Sequence, residues 1–197
     1  MNTAEWVNGN YWDTRWQEAQ TGWDIGYAAP AIMEFMETVT EKDIKILIPG
    51  CGNAYEAEAL VQAGFSDITL LDISETLVQQ LKSKYGDSGT IKVIQGDFFG
   101  HQGKYDLIIE QTFFCALNPA LRQQYTVKAA SLLKKNGQIT GVLFNRVFEQ
   151  DGPPYGGTTT EYKNYFGTLF EIKKIADCYN SIPPRKGSEV FINFKKK

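Results

Sequence analysis

From Ile44 onward the chain alternates short apolar runs with longer amphipathic segments. Ile44-Lys45-Ile46-Leu47-Ile48 reads as a buried strand ended by Pro49-Gly50. Residues 53–63 follow as a helix that stops at Gly64. Ile68-Thr69-Leu70-Leu71 is a second strand. Ser74 is placed to cap the next helix, which turns Leu77, Val78, Leu81 and Tyr85 inward and ends at Gly86. Ile91-Lys92-Val93-Ile94 and Tyr105-Asp106-Leu107-Ile108-Ile109 are the third and fourth strands. Asn118-Pro119 opens another helix, with Pro at its first position, Leu121, Tyr125, Ala129, Leu132 and Leu133 facing inward, and Asn136-Gly137 as its end. A fifth strand over 138–144, a short helix near 159–166 and two strands near 170–178 and 188–194 complete the pattern.

Strands that alternate with helices require right-handed crossovers, and so a parallel sheet covered on both faces. Only Asn180-Ser181-Ile182-Pro183-Pro184-Arg185-Lys186-Gly187 joins the last two strands, which suits an antiparallel return at one edge. The expected fold is an α/β three-layer sandwich around a seven-stranded, mostly parallel sheet with one antiparallel edge strand. Residues 1–40 are too short to bury a core of their own and read as a helical N-terminal extension or lid. Residues 41–197 form the domain proper, and the whole is one structural unit.

The length of 197 residues matches one domain. Hydrophobic residues at 43% and charged residues at 22% exclude a disordered or fibrous chain. A formal net charge of -3 leaves no basic excess for binding nucleic acid through its phosphates. Cys51, Cys115 and Cys178 form neither a CxxC pair nor an even disulfide set, which points to a reducing, cytoplasmic setting. One histidine and no CxxC argue against a metal site. That residue, His101, lies in Gly100-His101-Gln102-Gly103 and reads as a solvated loop residue; Lys195-Lys196-Lys197 reads as a solvated tail. No apolar run approaches the ~20 residues of a membrane span, and Met-Asn-Thr-Ala-Glu-Trp lacks the features of a secretory signal. A monomer acting on a small molecule is the expected form.

In a doubly wound sheet the ligand sits at the carboxyl ends of the strands, where the strand order reverses. Here the first strand runs into Pro49-Gly50-Cys51-Gly52-Asn53-Ala54-Tyr55, whose glycines permit a sharp turn and close approach of the backbone to a ligand. Asp72 ends the second strand and is placed to accept hydrogen bonds from ribose hydroxyls. Asp97 follows the third strand beside Phe98 and Phe99, a pairing that suits an adenine. A dinucleotide turn would want a third glycine at position 55 to bring a helix N-terminus to the pyrophosphate. That position is Tyr55, which favours S-adenosylmethionine, a nucleoside without phosphate, over NAD. Cys51 and Cys115 read as small packing residues without a partner that would make either a nucleophile.

The segments Ile48-Pro49-Gly50-Cys51-Gly52, Leu71-Asp72-Ile73-Ser74, Asp97-Phe98-Phe99, Thr112-Phe113-Phe114-Cys115-Ala116, Gly152-Pro153-Pro154-Tyr155 and Ile182-Pro183-Pro184-Arg185-Lys186-Gly187 carry a combined signature. With Trp23-Asp24-Ile25-Gly26 and Pro30, they resemble the thiopurine S-methyltransferase family, and most of all its plant and microbial thiol and halide methyltransferases. The resemblance runs from about Trp12 to the C-terminus. It implies a Rossmann-like class I methyltransferase sheet, with its last strand inserted antiparallel, and S-adenosylmethionine as cofactor. It implies donor-binding positions at Trp12, Trp16 and Trp23, at Gly50 and Gly52, at Asp72 and Ile73, at Asp97 with Phe98, and at Gln111, where the plant proteins carry Tyr. The acidic residue that most methyltransferases place two before the first glycine is Ile48 here, which fits this family.

Trp12 and Trp16 are four apart and share a helix face. With Trp23 they either wall the methionine end of the donor, where a desolvated sulfonium near a Trp face gains up to about 2 kcal/mol, or pack the extension onto the sheet. The implied reaction transfers a methyl group to a thiol, thiocyanate, thiopurine or halide by in-line displacement. An anionic acceptor of this kind needs no general base, and none is evident. An acceptor pocket is expected from Phe113, Phe114, Arg146 and Tyr155. Alternatives are an oxygen or nitrogen acceptor on another small metabolite, or a nucleoside-binding module without turnover.

Overall fold

A computed structural model describes residues 8–86 and 88–197. The Met-Asn-Thr-Ala-Glu-Trp segment and the start of the expected 1–40 extension lie outside the described residues. The described residues include seven strands: β1 (Lys45–Pro49), β2 (Asp67–Asp72), β3 (Ile91–Gln95), β4 (Tyr105–Gln111), β5 (Leu133–Phe144), β6 (Phe170–Asp177) and β7 (Glu189–Lys196). They form one sheet in the order β3-β2-β1-β4-β5-β7-β6. β1 to β5 are parallel, and β7 runs antiparallel between β5 and β6. The antiparallel return thus lies at the expected edge, with β6 outermost. The order reverses between β1 and β4, so the carboxyl ends of these strands flank an open crevice.

Six helices accompany the sheet: α1 (Gly9–Gln17), α2 (Pro30–Glu37), α3 (Tyr55–Gln62), α4 (Glu75–Tyr85), α5 (Arg122–Leu132) and α6 (Thr159–Phe166). Successive strand residues serve opposite faces. Ile46, Ile48, Leu107 and Ile109 pack with Met36 of α2, Leu60 of α3 and Leu81 of α4. Leu47, Ile108, Ile139 and Leu143 pack with Tyr125 of α5 and Phe166 of α6. Burial on both faces explains the continuous apolar runs, each large side chain contributing about 1.5–3 kcal/mol.

Local signals set most boundaries. The Ser74 side chain accepts from Leu77 N at 3.2 Å and starts α4, and Gly86, at φ 52°, ends it. Asn118 accepts from Ala120 N, but Pro119 opens a short 3-10 turn that leads into α5. The expected helix end at Asn136-Gly137 is corrected. α5 stops at Leu132, and β5 already includes both residues. Asn136 has φ 63° and lies where the β4–β5 register shifts between Tyr105 and Leu107. The left-handed residue that would stop a helix here makes a bulge instead. His101 is also less free than a solvated loop residue: its Nε2 lies 2.7 Å from the Tyr105 hydroxyl, with the rings stacked. The final lysines are not a loose tail, because β7 runs through Lys196, whose ammonium donates to Leu133 O at 2.8 Å.

Candidate active site

The turn after β1 is built from three left-handed residues, Gly50 at φ 56°, Gly52 at φ 51° and Ala54 at φ 55°. A Cβ at Gly50 would lie 2.4 Å from Phe113 Cδ2, so the ring from the β4 turn closes that side of the backbone. A Cβ at Gly52 would meet only Trp16, at 3.9 Å, which leaves that stretch of backbone open to a ligand. Tyr55 stands where a dinucleotide turn would carry its third glycine. Its hydroxyl donates to Asp24 Oδ2 at 3.2 Å, and Asn53 Nδ2 donates to the same oxygen. The residue that blocks a pyrophosphate therefore ties the N-terminal segment to the glycine turn.

Asp72 ends β2, is buried, and accepts from Ser74 N at 3.0 Å. Burial raises its carboxyl to about 6, against hydrogen bonds from Ser74, Gly52 and Ile73 that favour the charged form. Asp97 follows β3 and accepts from Phe99 N at 3.0 Å. Phe98 is stacked on Tyr125, with centroids 5.1 Å apart, which fixes the wall beside Asp97. Opposite lie the tryptophans. Trp23 makes edge contacts with Trp12 at 5.4 Å and Trp16 at 5.9 Å, and its carbonyl accepts from Arg185 Nη2 at 2.7 Å.

Glu110, fully buried at the end of β4, organises the next turn. Its Oε1 accepts from Phe113 N at 3.0 Å and Phe114 N at 2.7 Å, and its Oε2 accepts from the Tyr125 hydroxyl at 2.7 Å. Burial pushes its carboxyl up to about 7. This arrangement turns Phe113 toward Gly50 and sends Phe114 into the core.

These elements enclose a cavity of about 680 Å³, well within the range of small-molecule sites. Trp12, Trp16, Trp23, Gly50, Gly52, Asp72, Ile73, Asp97, Phe98, Gln111, Phe113 and Arg146 all line it. Two expected acceptor-pocket residues do not. Phe114 packs in the core against Tyr125, Tyr162 and Phe166. Tyr155 is held away by its backbone: its N donates to Cys115 O at 2.7 Å and its carbonyl accepts from Arg122 Nη2 at 3.4 Å. Pro153 and Pro154 reach the wall in its place. Arg146 is exposed at the mouth, 4.7 Å from the centroid of the Phe148 ring. Asp24 and Arg185 both lie in the quoted motifs without an assigned role; only the fold shows that Asp24 ties the N-terminal segment to the glycine turn and that Arg185 ties it to the segment before β7. Cys115, buried, is pushed up to about 12, and burial raises Cys51 as well, so neither is a thiolate.

The site fits S-adenosylmethionine. Acceptor-only carboxylates and indole faces suit a cationic nucleoside with hydroxyl donors. The Gln111 Oε1 that lines the cavity is buried and has no hydrogen-bond partner among the described residues. Among these residues no group of three or more His, Cys, Asp or Glu side chains is gathered to hold a metal, and no helix is long and apolar enough to cross a membrane.

A nucleoside-sized crevice at the switch point of this strand order, with carboxylates ending β2 and following β3, defines a class I S-adenosylmethionine-dependent methyltransferase. An N1-methyltransferase of 1,6-didemethyltoxoflavin from Burkholderia thailandensis, solved with S-adenosylhomocysteine, shares the fold at a TM-score of 0.76 and 16% identity, covering 97% of this chain and 88% of that one. The chain belongs to the thiopurine S-methyltransferase family, whose pattern matches residues 7–196. It is 32% identical to a probable thiol methyltransferase 2 of Arabidopsis thaliana, over 94% of this chain and 84% of that protein. It is 28% identical to a thiocyanate methyltransferase 1 of Brassica oleracea, over 98% and 87%. It is thus an S-adenosylmethionine-dependent methyltransferase.

Two outcomes follow from the geometry. Gly50→Ala must move Phe113 and strain the backbone, and is expected to cost about 2–4 kcal/mol in chemical denaturation; a cost under about 0.5 kcal/mol would contradict the contact. Asp72, at about 6, and Glu110, at about 7, bind protons more tightly folded than unfolded. Their contribution to stability is fully present below the unfolded carboxyl range near pH 4 and is lost as pH rises through about 6 to 7. Wild-type denaturation midpoints should fall between pH 5 and pH 8, and the fall should shrink in Glu110→Gln. An equal fall in that variant would remove Glu110 as its source.

Proposed function

We propose that the acceptor is a small sulfur nucleophile that reacts as its anion, a thiolate or thiocyanate, with halide as a related case. In this reading Trp12, Trp16 and Trp23 wall the methionine end of the donor, and Gly50, Gly52, Asp72, Ile73, Asp97, Phe98 and Gln111 hold its nucleoside and backbone. The observation that carries the reading is that all ten line one cavity, with Phe113 and Arg146 on its wall as well.

Bound S-adenosylmethionine supplies a methyl group already activated by positive sulfur. The chain therefore has three tasks: to align the acceptor with that methyl at roughly 3–3.5 Å, to exclude water, and to favour the anion. The tryptophan cluster and the phenylalanine walls exclude water. Arg146 makes no ion pair among the described residues, so its charge is open to an incoming anion. With the donor held there, a sulfur anion would take its methyl carbon as the bond to the donor sulfur broke, and no side chain of the site would have to move a proton. We further propose a cytoplasmic monomer; three unpaired, buried cysteines support a reducing compartment.

Methyl transfer from labelled donor to thiols, thiocyanate, iodide and thiopurines is the direct test. Methylated sulfur product is expected. Donor bound by calorimetry with no product across the panel would reject the acceptor class. Trp12→Ala should weaken donor binding by up to about thirtyfold, the equivalent of one desolvated cation–π contact; unchanged affinity would make the indoles packing residues only. Arg146→Ala should raise KM for an anionic acceptor about two- to fivefold, less so at high salt; an unchanged KM would remove Arg146 from the acceptor site.

A further inference from the structure

In the helix that carries Trp12 and Trp16 no residue is fully buried, and Trp16 alone is packed against the core as a partly buried side chain. Two side chains of α1, Asp13 and Gln17, bond to the start of α4, Gln17 Nε2 donating to Thr76 Oγ1 at 3.2 Å. Asp13 Oδ1 accepts from Thr76 N at 2.7 Å and from Ser74 Oγ at 2.7 Å. Asp13 Oδ2 accepts from Thr76 Oγ1 at 3.1 Å and from Gln17 Nε2 at 2.9 Å. Two of these bonds involve the first turn of α4, where a carboxylate is favoured by the free N–H groups and the helix dipole. A Cβ at Gly9 would lie 3.3 Å from Ile73 Cγ1, so the start of α1 rests on the residue after Asp72.

Ser74 joins the two carboxylates. Its N donates to Asp72 and its Oγ donates to Asp13. One residue thus bridges the carboxylate assigned to the ribose and the helix assigned to the sulfonium. We propose that Asp13 is a positioning residue that latches the α1 lid over the bound donor through Ser74 and Thr76. It touches neither donor nor acceptor. Its carboxylate sets where the faces of Trp12 and Trp16 stand, and its release is the step that frees the lid for exchange of donor and product. This rests on the donor site proposed above.

The test uses the full chain and S-adenosylhomocysteine, followed by calorimetry, by stopped-flow dissociation and by tryptophan fluorescence, to which Trp12, Trp16 and Trp23 contribute. Wild type should bind with a fluorescence change. Asp13→Ala should weaken binding about tenfold or more, mainly through faster dissociation, with a smaller fluorescence change. Asp13→Asn, which keeps one acceptor oxygen, should recover most of the affinity, and Thr76→Val should lose about two- to threefold. In Asp13→Ala the Thr76→Val change should add only the loss of the Gln17 bond to Thr76 Oγ1, less than its effect in wild type. Asp13→Ala that binds with wild-type affinity and dissociation rate would overturn the latch, even if its thermal stability falls. Should Asp13→Ala not fold, Thr76→Val with a wild-type dissociation rate would overturn it equally. Wild type that binds no S-adenosylhomocysteine would instead overturn the donor site itself.

Discussion

The ring of Phe113 occupies the space that any side chain at residue 50 would need. This contact locks the turn after β1 to the turn after β4 at the one place where the strand order reverses. Glu110 enforces it from beneath by accepting the N–H groups of Phe113 and Phe114. A buried carboxylate is costly, and its presence at the end of a central strand is explained by what it holds: two backbone donors and a tyrosine hydroxyl that would otherwise be unsatisfied. The crevice is open because these two turns are fixed against each other and not against a ligand.

The second organising feature is how the N-terminal segment is fastened. Asp24 reaches Asn53 and Tyr55 in the glycine turn, Asp13 reaches the turn after β2, and the Trp23 carbonyl receives Arg185 from the segment before β7. The N-terminal segment, the proposed lid, is thus held by polar contacts to the loops that line the cavity. Such contacts are individually modest and directional, which suits a cover that must both close over a cation and release a product.

Much of this was legible in the sequence. β1, β2 and β4 declared themselves because strands buried on both faces need apolar runs, and Ser74 and Gly86 marked α4 through chemistry that acts within one turn. That Asp72 and Asp97 would line the crevice was legible because strand ends are where such folds bind ligands. The failures share a cause. Asn136-Gly137 offers a left-handed residue, which serves a helix stop and a β-bulge equally, and only pairing with β4 decides between them. Phe113 and Phe114 are chemically alike, and the buried bonds to Glu110 decide which faces the cavity. Tyr155 was misplaced because its position is set by backbone contacts to Cys115 and Arg122, distant in sequence. Asp13, Asp24 and Arg185 act across long sequence separations, which no local pattern encodes.

The proposed donor site is one crevice, between the carboxylates after β2 and β3 and the tryptophans of the N-terminal segment. A crystal structure of the chain soaked with S-adenosylhomocysteine tests it most directly. The account predicts the ribose on Asp72, the adenine beside Asp97 and Phe98, and the sulfur beneath Trp12 and Trp16 on the side of Phe113. The nucleoside found elsewhere on the protein, or this crevice left empty at saturating ligand, would contradict it.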